Sequence, residues 1–261
     1  TSYAVSLEAQ HTLECIGKWI MTNIGNELIQ SIFNSLLRDH FLLLVVNDAT
    51  ADVASLPGYL QNLPLRSPLF ASLFMTIVLD MLPNEQLNNS NRYMHKLLRL
   101  FDCWMERSAW LPLIAFKSKM THYMLNPMPG LLHILCVYQL KQTSTGVDLD
   151  ELIYKIHFVC LKLIKEFGSD NKDPQCKLLT LKHVELICNQ MRSVAEKSNG
   201  DGDDERLNRL REECLERLGQ LLLFCWQYDV IACSKSDVKQ LLEANNVLLS
   251  SSHLFKMILA D

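Results

Sequence analysis

From Asp148 to Phe167 the apolar residues return every three or four positions: Leu149, Leu152, Ile153, Ile156, Cys160, Leu163, Ile164 and Phe167. That spacing gathers them on one side of a 3.6-residue helix and turns Lys155, Lys162, Lys165 and Glu166 elsewhere. The same period runs from one end of the chain to the other. Signals for β structure are nearly absent, since no β-branched and aromatic run alternates with polar residues and no Asn-Gly turn joins two such runs. An all-α fold follows, in which each helix buries one stripe against its neighbours.

The periodicity predicts helices over 4–22, 26–46, 56–63, 67–82, 91–107, 109–117, 129–141, 149–167, 176–198, 204–228, 236–244 and 251–260. Asp148 with Glu151 makes a capping-box-like start, the carboxylate accepting an orphan N–H and the Glu reaching back. Gly168 is the expected stop. Ser67-Pro68 reads as a cap followed by a first-turn proline, and Ser234 as a cap followed by the acidic Asp237. Pro57, Pro64, Pro83, Pro127 and Pro129 are expected in turns. In 204–228, Leu207, Leu210, Cys214, Leu218, Leu221 and Cys225 form a seam, with Glu213 and Arg217 at the favourable i,i+4 spacing outside it. The acidic stretch Asn199 to Asp204 is expected to be a mobile connector.

About twelve helices in this length give roughly 40 to 47 residues per antiparallel pair, the repeat of HEAT-like arrays. The expected architecture is a helical-repeat α-solenoid spanning 1–261 as one domain, with a compact helical globule as the alternative. Hydrophobic residues make up 49% of the chain, ample for a core without a disulfide or metal staple. The start at Thr1-Ser2-Tyr3, without an initiator Met or a basic-then-apolar leader, reads as that of a fragment of a longer chain.

Charge and motif content narrow the function. With 25 Lys+Arg against 29 Asp+Glu, the net charge is −4, which disfavours phosphate neutralisation and hence direct nucleic-acid binding. The longest apolar runs, Phe41 to Val46 and Leu221 to Trp226, fall far short of the ~18 residues of a spanning helix. Nine cysteines lie mostly in apolar stripes with no C-x-x-C pair, as reduced core thiols of the cytosol or nucleus do. His11 with Cys15, His133 with Cys136, and His157 with Cys160 stand on single helix faces, but no further ligand pair lies nearby to complete a zinc site. No Walker-type or dinucleotide glycine loop and no G-x-S-x-G elbow is present. No cofactor, metal or catalytic residue is therefore assigned, and the chain is expected not to be an enzyme.

Aromatic residues carry the strongest interaction signal. Trp104, Trp110, Phe116 and Tyr123 are spread along one region, and Trp and Tyr are enriched at interface hot spots because they bury much area and keep a polar edge. Leu254, Phe255 and Ile258 form a short apolar face near the C-terminal end. These seven residues are the candidate partner-binding positions.

The order of local phrases resembles the Integrator complex subunit 15 family. The phrases are Leu13-Glu14-Cys15-Ile16-Gly17-Lys18-Trp19, Leu56-Pro57-Gly58, Ser67-Pro68-Leu69-Phe70, Leu100-Phe101-Asp102-Cys103-Trp104-Met105 followed by Leu111 to Phe116, and Tyr154-Lys155-Ile156-His157. Cys233 to Val238 leads on to Asn245-Asn246 and the segment Leu254 to Leu259. The resemblance spans nearly the whole chain, although family members have further helices upstream and some a Pro/His-rich tail. It implies a nuclear, non-catalytic helical-repeat scaffold that joins the module of subunits ten, thirteen and fourteen to the rest of Integrator in snRNA 3′-end processing and RNA polymerase II regulation. The implied partners are other Integrator subunits, above all the subunit-ten repeat protein. Two rival readings are a carrier of apolar small molecules, which 10 Met and many Leu could line, and an unrecognised helical enzyme.

Overall fold

A computed structural model describes residues 2–23, 26–36, 58–83, 91–106, 126–141, 150–170, 177–198, 204–244, 256 and 258. These are helical almost throughout: α1 (Ser2–Asn23), α2 (Glu27–Leu36), α3 (Gly58–Arg66), α4 (Pro68–Met81) and α5 (Asn91–Glu106). A sixth helix, α6, runs as Met128–His133, a π-helical turn Ile134–Tyr138 and Gln139–Lys141. Then come α7 (Asp150–Asp170), α8 (Leu181–Ser198), α9 (Asp204–Gln227) and α10 (Lys235–Glu243). The chain divides into two units, Thr1–Pro127 and Met128–Asp261. Among the described residues no helix is long and apolar enough to cross a membrane.

The first unit is built on α4, whose residues from Phe70 to Leu79 are all buried. A helix apolar on every side must be enclosed; α1 and α3 pack on it, and α5 packs on α3. α2 joins through Phe33, whose ring meets Phe70 edge-on at 6.3 Å. One turn further along α4, Trp104 of α5 meets Phe74 at 6.0 Å. The start of α4 departs from the expected local cap. Ser67 makes no side-chain cap bond; its hydroxyl donates instead to the Gln10 carbonyl. The orphan Leu69 N–H donates to Glu14 Oε2 at 3.1 Å, so the cap of α4 comes from α1. Gly17 makes that approach close, because a Cβ there would stand 3.0 Å from Phe70 N.

The second unit is built on α6, buried from Met128 to Leu140 and packed by α7, α8 and α9. Of the apolar stripe expected of α7, Leu152, Ile153, Ile156, Cys160, Leu163, Ile164 and Phe167 are all buried, and Leu149 lies outside the described residues. Its C-terminal end differs from expectation, and its expected N-terminal cap is not tested. Asp148 lies outside the described residues, and Glu151 pairs with Lys155 at 3.0 Å. The helix also runs past Gly168 to Asp170. Gly168 is required by packing, since a Cβ would lie 2.7 Å from Tyr228 Cβ and 2.8 Å from its carbonyl oxygen. Ser234 does cap α10 as predicted: its Oγ accepts from Asp237 N at 3.1 Å, while Asp237 Oδ2 accepts from Ser234 N at 2.7 Å.

Other expectations shift by physical cause. α8 begins at Leu181 rather than 176, because Leu179–Thr180 pairs in parallel with Ile231–Ala232. The approach is started by Leu178 N–H donating to the Val230 carbonyl at 2.8 Å. His183 Nδ1 then accepts the Thr180 N–H at 3.2 Å at the start of the helix, one of the two bonds of a capping box. Pro64 sits inside α3 and Pro129 within the first turn of α6, where a missing N–H costs little; neither is in a turn. The expected helix over 109–117, the extension of 26–46 beyond Leu36 and the Asn199–Asp203 connector lie outside the described residues. Within 251–260 only 256 and 258 are described, both helical.

Candidate interaction surfaces

Two exposed apolar faces stand out, one in each unit. In the first, Leu28, Ile32 and Leu36 recur at i,i+4 along α2, with Leu28 68% and Ile32 52% exposed. The other exposed side chain described on that helix is Ser31, so among the described side chains the ridge is uncharged. Phe33, buried off the ridge at the position after Ile32, anchors α2 to Phe70, which fixes which way the ridge faces. Ile16 and Trp19 of α1 are exposed as well, Trp19 by 56%. Apolar side chains of this size in series, held by a buried anchor, are the kind of surface that marks a partner site.

In the second unit, Tyr154 and Phe158 stand out from α7, 73% and 57% exposed. Lys162 lies over the Phe158 ring, 4.7 Å from its centroid. This face is set opposite the buried stripe by the 3.6-residue period alone.

The interior of the second unit concentrates polar and thiol groups around the π-turn. Cys136 Sγ donates to the Cys214 carbonyl at 3.7 Å and Cys214 Sγ to the Leu135 carbonyl at 3.5 Å. Gln139 Oε1 accepts from Arg217 Nη1 at 2.5 Å, and Arg217 also pairs with Glu213 at 3.3 Å. His133 Nδ1 donates to Gln190 Oε1 at 2.9 Å. A π-turn adds a residue to the helix, and here carbonyls and side chains around it meet partners on α8 and α9. Burial raises the thiols throughout: Cys188 and Cys214 are pushed up to about 12, Cys160 and Cys225 higher still. Such thiols stay protonated at neutral pH and serve as packing groups, not nucleophiles. Desolvation lowers His157 and His183, Arg217 adding to the effect at His157.

Of the His/Cys pairs, His11 and Cys15 are both exposed, with Nε2 and Sγ 3.8 Å apart. Of the other two pairs, His133, Cys136 and Cys160 are buried and His157 is half-buried, and among the described residues no three His, Cys, Asp or Glu side chains are arranged to hold a metal. The predicted partner-binding residues are placed as follows. Trp104 is 1% exposed and belongs to the core of the first unit, and Ile258 is buried. Trp110, Phe116, Tyr123, Leu254 and Phe255 lie outside the described residues. The exposed Leu28, Ile32, Leu36, Tyr154 and Phe158 escaped the sequence reading; the signal for Tyr154 and Phe158 was a second apolar pair off the main stripe of their helix.

Comparison with known proteins decides the family. The family model for Integrator complex subunit 15 matches residues 1–245. The chain belongs to that family. No curated protein matches it. The phrases that carry the family resemblance meet in space: Glu14 and Gly17 of the first contact Leu69 and Phe70 of the Ser67-Pro68-Leu69-Phe70 phrase. Phe101 and Trp104 of another are core residues, and Trp226 Nε1 donates to the carbonyl of Cys233, which opens a third, at 2.8 Å. These family phrases are thus largely capping and packing residues.

Proposed function

We propose that the chain is a non-catalytic scaffold subunit of the nuclear Integrator complex, a HEAT-like array of antiparallel helices that links the module of subunits ten, thirteen and fourteen to the core. Through that role it serves snRNA 3′-end processing and RNA polymerase II regulation. The observation that carries the reading is the family match over residues 1–245. The uncharged ridge of Leu28, Ile32 and Leu36 supports it, since stacked helical hairpins bury their stripes only against neighbours and offer the remaining surface to other polypeptides. The raised thiols and the buried His133 supply packing, not an open reacting cleft. Of the anchors chosen from sequence, Trp110, Phe116, Tyr123, Leu254 and Phe255 keep their proposed role as partner contacts. The test is size-exclusion chromatography of the purified chain with the subunit-ten repeat protein. Co-elution in fixed stoichiometry is expected; a chain that elutes alone in its presence contradicts the proposed linkage.

A further inference from the structure

The exposed face of α7 carries an ordered series: Glu151, Tyr154, Phe158, Lys162 and Lys165, separated by three, four, four and three residues. All five side chains are exposed. The series is symmetric in spacing about Phe158, and its two arms are opposite in chemistry. One arm is acidic and aromatic; the other is doubly basic.

Helix-end electrostatics do not account for the basic arm. The last turn of α7 carries no basic residue, because the helix continues to Asp170, so Lys162 and Lys165 do not sit at the negative end of the dipole. Neither lysine has a carboxylate partner among the described residues; Lys162 rests on the Phe158 ring, and Glu151 pairs with Lys155 instead. Tyr154, at 73% exposure, covers nothing.

A two-fold axis through Phe158, perpendicular to the helix, pairs each position n with 316 − n of an antiparallel second helix. Phe158 then meets Phe158 of the second copy, Tyr154 meets Lys162, and Glu151 meets Lys165, each of the last two contacts occurring twice. The contacts along the centre of the face are favourable: aromatic on aromatic at Phe158, ammonium on phenol ring beside it, and opposite charges at Glu151 and Lys165, while the exposed Asp150 and Glu166, which the same register sets on the flanks, oppose the pairing and keep it weak. A parallel pairing in the same register would instead set Lys162 and Lys165 against themselves. Self-complementarity about a two-fold is what an isologous contact requires.

We infer that the chain self-associates through α7 as an antiparallel two-fold pair centred on Phe158, the occupant of this face being a second copy of the chain. One helical stripe falls in the small-interface class, so the association is weak, with a dissociation constant on the order of tens to hundreds of micromolar.

Sedimentation equilibrium of the full chain, from about 10 µM to about 1 mM, tests this. A reversible monomer–dimer equilibrium is expected, abolished by Phe158→Glu. Glu151→Lys and Lys165→Glu are each expected to weaken it by about tenfold. The double variant Glu151→Lys with Lys165→Glu restores it, because the swap re-creates the same opposed pairs. Tyr154→Ser, also at an exposed position, gives an independent loss, and unchanged circular dichroism verifies that each variant is folded. A monomer at every concentration overturns the inference, as does a dimer that Phe158→Glu leaves intact or a double variant no better than its singles. If the chain is monomeric and Phe158→Glu releases an Integrator subunit in nuclear extract, the face belongs to another protein: the self-association fails while the scaffold reading stands.

Discussion

Helices α4 and α7 show two ways of satisfying a helix. α4 is enclosed on every side from Phe70 to Leu79 and borrows its N-terminal cap from Glu14 of α1. α7 buries one stripe, exposes the opposite face, and stabilises its own first turns through the Glu151–Lys155 pair. An element without a solvent face depends on its neighbours even for its backbone ends. One with a solvent face is locally self-sufficient, and its free side can carry a different task.

This contrast breaks most sharply at the cores. Phe74→Ala in α4 should cost about 3–5 kcal/mol, because the edge contact with Trp104 is replaced by a cavity. Phe158→Ala, of similar chemistry on the exposed face of α7, should change stability by less than about 0.5 kcal/mol. Thermal unfolding of the two variants side by side measures the difference.

Gly168→Ala sharpens the packing side of α7. At an ordinary helical position the change favours the helix, but here the methyl would enter the Tyr228 backbone and side chain, and we expect a loss of about 1–3 kcal/mol. Chemical denaturation with an unchanged slope reads it. A gain in stability would mean that Gly168 acts as a helix terminator after all.

Asp80, near the end of α4, adds a pH signature to the enclosed helix. Burial pushes its carboxyl up to about 6, with the Asn126 N–H opposing the shift. A folded value above the unfolded one means that its contribution is fully present below about 3.8 and is lost as pH rises through about 6. Asp80→Asn should therefore leave stability near pH 4 unchanged and raise it at pH 7, by about 1–2 kcal/mol. Denaturation midpoints across that window test the sign.

The smallest effect concerns the borrowed cap. Glu14→Gln keeps the shape and weakens the charge-assisted bond to Leu69 N–H, at an expected cost of about 0.5–1 kcal/mol. Ser234→Ala, in the self-contained cap of α10, should cost about 1 kcal/mol. Amide exchange at the first turn of each helix separates the two.

What was legible in the sequence follows the same division. The buried stripe of α7 and the cap at Ser234 were readable because period and capping chemistry are local. The cap of α4 was not, since Glu14 and Leu69 are joined only by the packing of two helices. Gly168 was misread for a related reason: glycine at a helix end and glycine at a close crossing look alike until Tyr228 is placed beside it. The two-residue strand pair was invisible because it is too short to leave an alternating pattern. Among the interaction residues, Trp104 obeyed the usual preference of a large aromatic for the core, and the surface fell to Leu28, Ile32, Leu36, Tyr154 and Phe158. Those residues declare themselves only once the main stripes are assigned to the interior.

The scaffold role is tested most directly by affinity purification of the tagged chain from nuclear extract, wild type beside a Leu28→Asp/Ile32→Asp variant of equal thermal stability. The wild type is predicted to bring down Integrator subunits in stoichiometric amounts, and the ridge variant to lose them. A folded wild-type chain that emerges without any Integrator subunit would contradict the account.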